Sequence, residues 1–191
     1  MVIFDLGEDG PYVMVAAIRP GSGPRSKPVQ LPAFLEAASS PAVSVQVLNS
    51  GAVAGYEHIL TAAFLSAKSW RAGRSIARTP ATEVLLYASG RRQISAAIEA
   101  MGVGGEDVAG WVVVAVSRDR GSLEEVYRTV LGYGREDESL LEVDDKKCRS
   151  LVRRFSITPN ELSTAELISP RRADAVKAIV LERVALSDLY R

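Results

Sequence analysis

Val43-Ser-Val-Gln-Val-Leu-Asn-Ser-Gly51 alternates apolar and polar side chains and ends in a turn triplet, the pattern of a half-buried strand. Three helical stretches follow it without an intervening strand, at about 52–70, 79–88 and 91–101. Thr79 can cap the second, and Pro80 suits a first helical position. In the third, Ile94, Ala97, Ile98 and Met101 fall at the i, i+3, i+4, i+7 spacing of one buried face, which favours Ile94 as a core residue over the alternative, that Ile94 or Leu65 is an apolar platform for a base. Only then comes the next strand, the continuous apolar run from Trp111 to Val116. A doubly wound parallel sheet needs strands and helices in alternation. The chain reads instead as α+β, a helical half packed on a small, mostly antiparallel sheet.

Outward from this centre, residues 11–18 form a strand around Val13, Met14 and Val15, and a Pro/Gly/Ser-rich segment at about 19–32 forms a flexible loop before a short helix at 33–38. On the other side, 123–131 reads as a helix, 140–143 as a short strand, 144–155 as a helix and 170–190 as the last helix. The 144–155 helix places acids first and bases last, as the macrodipole favours. No internal repeat is visible, and residues 1–191 read as a single domain.

Composition excludes several classes. The 191 residues are 47% hydrophobic and 24% charged, an ordinary globular balance that argues against disordered, collagen-like and coiled-coil chains. No apolar run approaches the roughly 20 residues of a bilayer helix. The N-terminus carries acids where a signal peptide has bases, so a cytoplasmic location is expected. One cysteine, Cys148, and one histidine, His58, leave no multi-thiolate zinc site and almost no histidine-based metal centre. A serine triad would need His58, but no Gly-x-Ser-x-Gly elbow is present. Gly21-Ser-Gly-Pro-Arg-Ser-Lys27 lacks the glycine before lysine of a phosphate loop. No metal and no cofactor is expected.

Net charge is zero, with 23 bases and 23 acids, yet the charges are segregated. Between residues 66 and 92, Lys68, Arg71, Arg74, Arg78, Arg91 and Arg92 face one acid, Glu83, whereas 119–146 holds nine acids against four bases. Projection of the 52–70 helix at 100° per residue puts Tyr56, Leu60, Ala63, Phe64 and Ala67 on one face and His58, Thr61, Leu65, Lys68 and Ser69 on the other. His58 and Lys68 thus share the outward face. Ser89-Gly90-Arg91-Arg92-Gln93 before the third helix leaves backbone N–H groups for an incoming phosphate. Two arginines in a first turn oppose the helix dipole by up to about 1 kcal/mol each, so stability alone would not select them. A solvated basic surface, or pairing with Glu83, accounts for the same residues without any ligand.

Ala54-Gly-Tyr-Glu-His-Ile-Leu-Thr-Ala-Ala63 and Glu83-Val-Leu-Leu-Tyr-Ala-Ser-Gly-Arg-Arg-Gln-Ile-Ser-Ala-Ala-Ile98 together resemble the small, TPRKB-like subunit of the archaeal and eukaryotic KEOPS complex. The resemblance extends from about Val45 to the closing segment 179–189. It implies a non-catalytic subunit that binds the complex's atypical kinase/ATPase subunit, meets the other KEOPS subunits indirectly, and recruits tRNA by its 3′ CCA end for threonylcarbamoyladenosine formation at position 37. The family's Ser-Gly-x-Arg-Gln-Ile motif falls on Ser89, Gly90, Arg92, Gln93 and Ile94, and its helix histidine and lysine fall on His58 and Lys68. Arg71, Arg74 and Arg91 join the expected RNA surface on charge. Residues before about Pro41 match nothing in the family. Arginines outnumber lysines eighteen to five, which suits bidentate phosphate contacts.

The last helix has two apolar stripes, one of Val176, Ile179, Val180 and Val184 and one of Ala178, Leu181, Ala185 and Leu189. The second is the expected partner interface. Two other readings remain at this level: a structural bridge without RNA contact, and a small nucleotide-using enzyme built on the Gly102-Val-Gly-Gly105 turn.

Overall fold

The computed structural model describes residues 1–8, 10–21, 31–104 and 108–190. Most of the loop expected at 19–32 lies outside the described residues, as does Gly105; Arg19 and Pro20 close a strand, and Leu31 and Pro32 open a helix. In chain order the described elements are β1 (Val2–Asp5), β2 (Tyr12–Pro20), α1 (Leu31–Ala38), β3 (Val43–Asn49), α2 (Tyr56–Arg71), α3 (Pro80–Ser89), α4 (Ile94–Met101), β4 (Trp111–Ser117), α5 (Arg120–Leu131), β5 (Gly134–Glu136), α6 (Asp145–Arg154), α7 (Pro159–Ile168) and α8 (Arg172–Ser187).

The strands form one sheet in the order β1-β2-β4-β3, with β5 against the far end of β2, and every described pairing is antiparallel. β4 is central, running from Trp111 opposite Ile18 to Ser117 opposite Tyr12 on one side, and pairing with the whole of β3 on the other. Its unbroken apolar sequence follows from burial on both faces. Val112, Val114 and Val116 join Val13, Val15, Ala17 and Leu48 beneath α2, α3 and α4. Trp111, Val113 and Ala115 join Met14, Ala16, Ile18 and Val47 against Phe34 of α1 and Leu123, Val126 and Val130 of α5. A third core, from α6, α7 and α8, gathers Leu151, Phe155, Leu162, Val176 and Val180. The expected α+β class holds, with helices on both sides of the sheet rather than in one half.

Several local expectations change. Helix α4 begins at Ile94, not Arg91, and only Ala97 and Met101 of its expected buried face are buried; Ile94 is 38% and Ile98 52% exposed. Residues 138–141 form a 3-10 turn capped by Asp137 instead of a strand at 140–143. Strands β1 and β5 and helix α7 were not anticipated.

Candidate nucleic-acid interface

Helices α2 and α3 pack closely because the face between them is small. Ala62, Ala63, Ser66 and Ser69 are buried together with His58 and Ile59, while the bulky Phe64 is left 58% exposed. The outward face expected for His58 is therefore corrected: the side chain is completely buried and cannot touch RNA. Its Nδ1 accepts the Ala54 N–H at 3.0 Å, and its Nε2–H donates to the Ala88 carbonyl at 2.7 Å. Both nitrogens are satisfied by the neutral ring, and burial holds the pKa down at about 4. The imidazole ties the start of α2 to the end of α3, immediately before the Ser89–Gln93 segment.

The first part of that segment, Ser89 to Arg91, is a helix stop. Ser89 is buried and donates its hydroxyl to the Leu86 carbonyl at 2.9 Å. Gly90 ends α3 in the left-handed region, at φ 63°, with its N–H bonded to carbonyls of the last turn. The Arg91 N–H returns to the Leu86 carbonyl and the Ser89 hydroxyl. The N–H groups of Gly90 and Arg91 are thus occupied within the stop. The uncapped helix start lies at Gln93, which makes no side-chain capping bond to α4. Arg91 and Arg92 follow the C-terminal end of α3, where the dipole favours cations, so the expected conflict with a helix N-terminus does not arise as drawn. Glu83 does not serve this end: its Oε2 accepts the N–H groups of Ile76 and Ala77 before α3.

Arg91, Arg92 and Gln93 are all exposed, beside the half-exposed Ile94 and Ile98. Among the described residues no carboxylate lies within ion-pair distance of either arginine. One Arg91 Nη donates to the Arg154 carbonyl at 3.3 Å, and Arg154 in turn donates to the Ala100 carbonyl at 2.5 Å. This brings the C-terminal end of α6, with exposed Arg153, against the motif. Arg153 complements the α6 dipole, and with Lys146 and Arg149 it stands at helical spacing on one face.

The remaining expected cations lie elsewhere. α2 and α3 run antiparallel, as His58 meets Ala88 while Ser66 bonds to the Pro80 carbonyl. Arg71 is thirteen residues beyond His58 along α2, about 20 Å at 1.5 Å per residue, so Arg71 and Arg74 sit at the opposite end of the pair from Arg91 and Arg92. The single cationic seam expected from two helices is not formed. Lys68 pairs with Asp188 at 3.1 Å, Arg74 approaches the same carboxylate at 4.0 Å, and the Tyr87 hydroxyl donates to it at 2.8 Å. Burial pulls the Asp188 pKa up, but those partners hold it below its ordinary value. Arg71 donates to the Glu8 carbonyl.

On α8 the stripe of Val176, Ile179, Val180 and Val184 is buried, whereas Ala178 and Ala185 are exposed, Leu181 is half-buried and Leu189, just past the helix, is 73% exposed. Cys148 is buried, which pushes its thiol pKa up. Among the described residues no group of three or more His, Cys, Asp or Glu side chains could hold a metal ion, and no helix is long and apolar enough to cross a membrane.

No curated protein matches the chain. The family model described as kinase binding protein CGI-121 matches residues 28–188, which takes in α1 through α8, the Ser89–Gln93 segment and the outer stripe of α8 up to Ala185, and which begins ahead of Pro41, where no match was expected. That span exceeds half the chain, and the chain belongs to the CGI-121 family of kinase-binding proteins, the family of the TPRKB-like KEOPS subunit that its motif resembles.

Proposed function

We propose that this protein is the non-catalytic small subunit of a cytoplasmic KEOPS complex, binding the kinase/ATPase subunit and recruiting tRNA by its 3′ CCA end for modification at position 37. Kinase docking falls to the accessible stripe of Ala178, Leu181, Ala185 and Leu189, since the other stripe of α8 is consumed by the protein's own core. The CCA end falls to Arg91, Arg92 and Gln93. The observation that supports this placement most is that these three exposed polar side chains, with no carboxylate partner among the described residues, adjoin exposed Ile94 and Ile98. Single-stranded ends are held by basic contacts to phosphates, hydrogen bonds to base edges and an apolar or aromatic platform for base faces, and all three are present. Lys68 and Arg74, shared with Asp188, are secondary. Ser89, Gly90 and His58 act by positioning the segment.

Mobility shifts on the full chain with intact and CCA-trimmed tRNA test this reading. Wild type should bind the intact tRNA more tightly, and Arg92→Glu should weaken that binding about tenfold, near 1.4 kcal/mol, while leaving the trimmed tRNA unaffected. Equal affinity for the two tRNAs in wild type, or full affinity in a folded Arg92→Glu protein, would contradict it.

A further inference from the structure

Beyond the motif, α6 walls a groove of about 570 Å³ closed on its other sides by Asn49-Ser50-Gly51 and the 3-10 turn ending at Leu141. Lys146, Arg149 and Arg153 stand on its α6 side, exposed, with no ion-pair partner among the described residues. Beneath them the Lys147 amine is buried and donates to the Leu140 carbonyl at 2.7 Å. Glu142 and Asp144 also line the groove, but Asp144 caps α6 through the Lys147 N–H at 2.7 Å. Arg19 at the margin is paired with Asp137 at 2.6 Å.

Stability does not account for this arrangement. Lys146 and Lys147 lie in the first turn of α6, where the dipole disfavours cations. Like charges at i, i+3 and i, i+4, as in Lys146, Arg149 and Arg153, cost about 0.2–0.5 kcal/mol per pair. Burying an ammonium costs more, and burial draws the Lys147 pKa down to about 8. An anion in the groove offsets all three costs. The cations from Lys146 to Arg153 span about 10 Å of helix, longer than one phosphate. Through Arg154 and Arg91 the same positive path reaches Arg92 and Gln93.

We propose that the α6 groove is a second nucleic-acid contact, gripping backbone phosphates of the RNA strand whose 3′ end lies at Arg91–Gln93 and doing so without regard to sequence. It rests on the tRNA reading above but makes separate demands. Phosphates rather than an acidic polypeptide are favoured because the path is continuous with the segment that suits a nucleotide end and because the guanidinium forks of Arg149 and Arg153 match phosphate oxygens.

The test is a salt titration of tRNA binding by the full chain, with intact and CCA-trimmed tRNA, for wild type, Lys146→Glu/Arg149→Glu and Arg92→Glu. Both residues of the double variant are exposed, and matched thermal melts establish that it folds. The double variant should weaken both tRNAs at least tenfold and lower the salt slope by about 1.4, since each phosphate on a single strand contributes ~0.7. Lys146→Gln/Arg149→Gln should fall between it and wild type. Unchanged affinity and slope in the double variant would overturn the groove, as would loss of binding to poly-glutamate with tRNA binding intact, which would assign it to an acidic protein segment. Failure of the CCA reading looks different: wild type then binds both tRNAs equally, while the double variant still weakens both.

Discussion

His58 shows most plainly what one side chain contributes. The helical projection centred on Tyr56, Leu60 and Phe64 because they are large and apolar, and so turned the histidine outward. In the structure α2 turns Ala62, Ala63, Ser66 and Ser69 inward along with Ile59, since small residues allow two backbones to approach, and Phe64 stays outside. The ring is enclosed with both nitrogens bonded, which fixes its pH behaviour. Its folded pKa, about 4, lies below the ordinary 6.5, so the folded state binds fewer protons than the unfolded one between those values. Stability is unaffected by this group above pH 6.5 and falls as pH drops from 6.5 towards 4, by on the order of 3 kcal/mol in all. As the single histidine, it can be followed by proton NMR: the ring signals should stay neutral to about pH 4. Titration near 6.5 would mean that the ring is solvated and the tie to Ala88 absent.

At the scale of elements, legibility followed the strength of local signals. Thr79 with Pro80 marked the start of α3, and the structure shows that cap. The start of α7 is as well marked, with Thr158 and Glu161 in a reciprocal capping box and Pro159 in the first turn, but its apolar pattern is weak because Leu167 and Ile168 are 85% exposed. Hydrophobic spacing without the caps therefore passed over it. The same spacing misassigns the buried face of α4, because nothing local distinguishes the exposed Ile94 and Ile98 from the buried Ala97 and Met101. Between α3 and α4 the turn depends on Gly90, whose φ of 63° suits glycine. Gly90→Ala should cost about 1–2 kcal/mol and lower the thermal midpoint by a few degrees, with a larger loss of tRNA affinity than of kinase binding. A variant of wild-type stability and tRNA affinity would show that the left-handed stop is dispensable.

Across the whole molecule, the sequence showed which residues are basic but not which are neighbours. Lys68, Arg71 and Arg74 are close in sequence to Arg91 and Arg92 yet lie at the far end of the helix pair, and Asp188, a hundred residues on, is shared by Lys68 and Arg74. Arg154, some sixty residues from the motif, is bonded to it through Arg91. Such groupings arise from packing, and charge counts along the chain do not contain them. The fold class and the motif were legible because they rest on order and local pattern. The proposed RNA and kinase surfaces, the Arg91–Gln93 segment and the outer stripe of α8, have no residue in common. The most direct measurement is size-exclusion co-elution of the protein with the kinase subunit and with tRNA, for wild type, Arg92→Glu and Leu181→Glu. Wild type should co-elute with both, Arg92→Glu with the kinase as before but with about tenfold weaker retention of tRNA, and Leu181→Glu with tRNA alone. A folded variant that loses both partners together, or two folded variants that lose neither, would contradict the assignment.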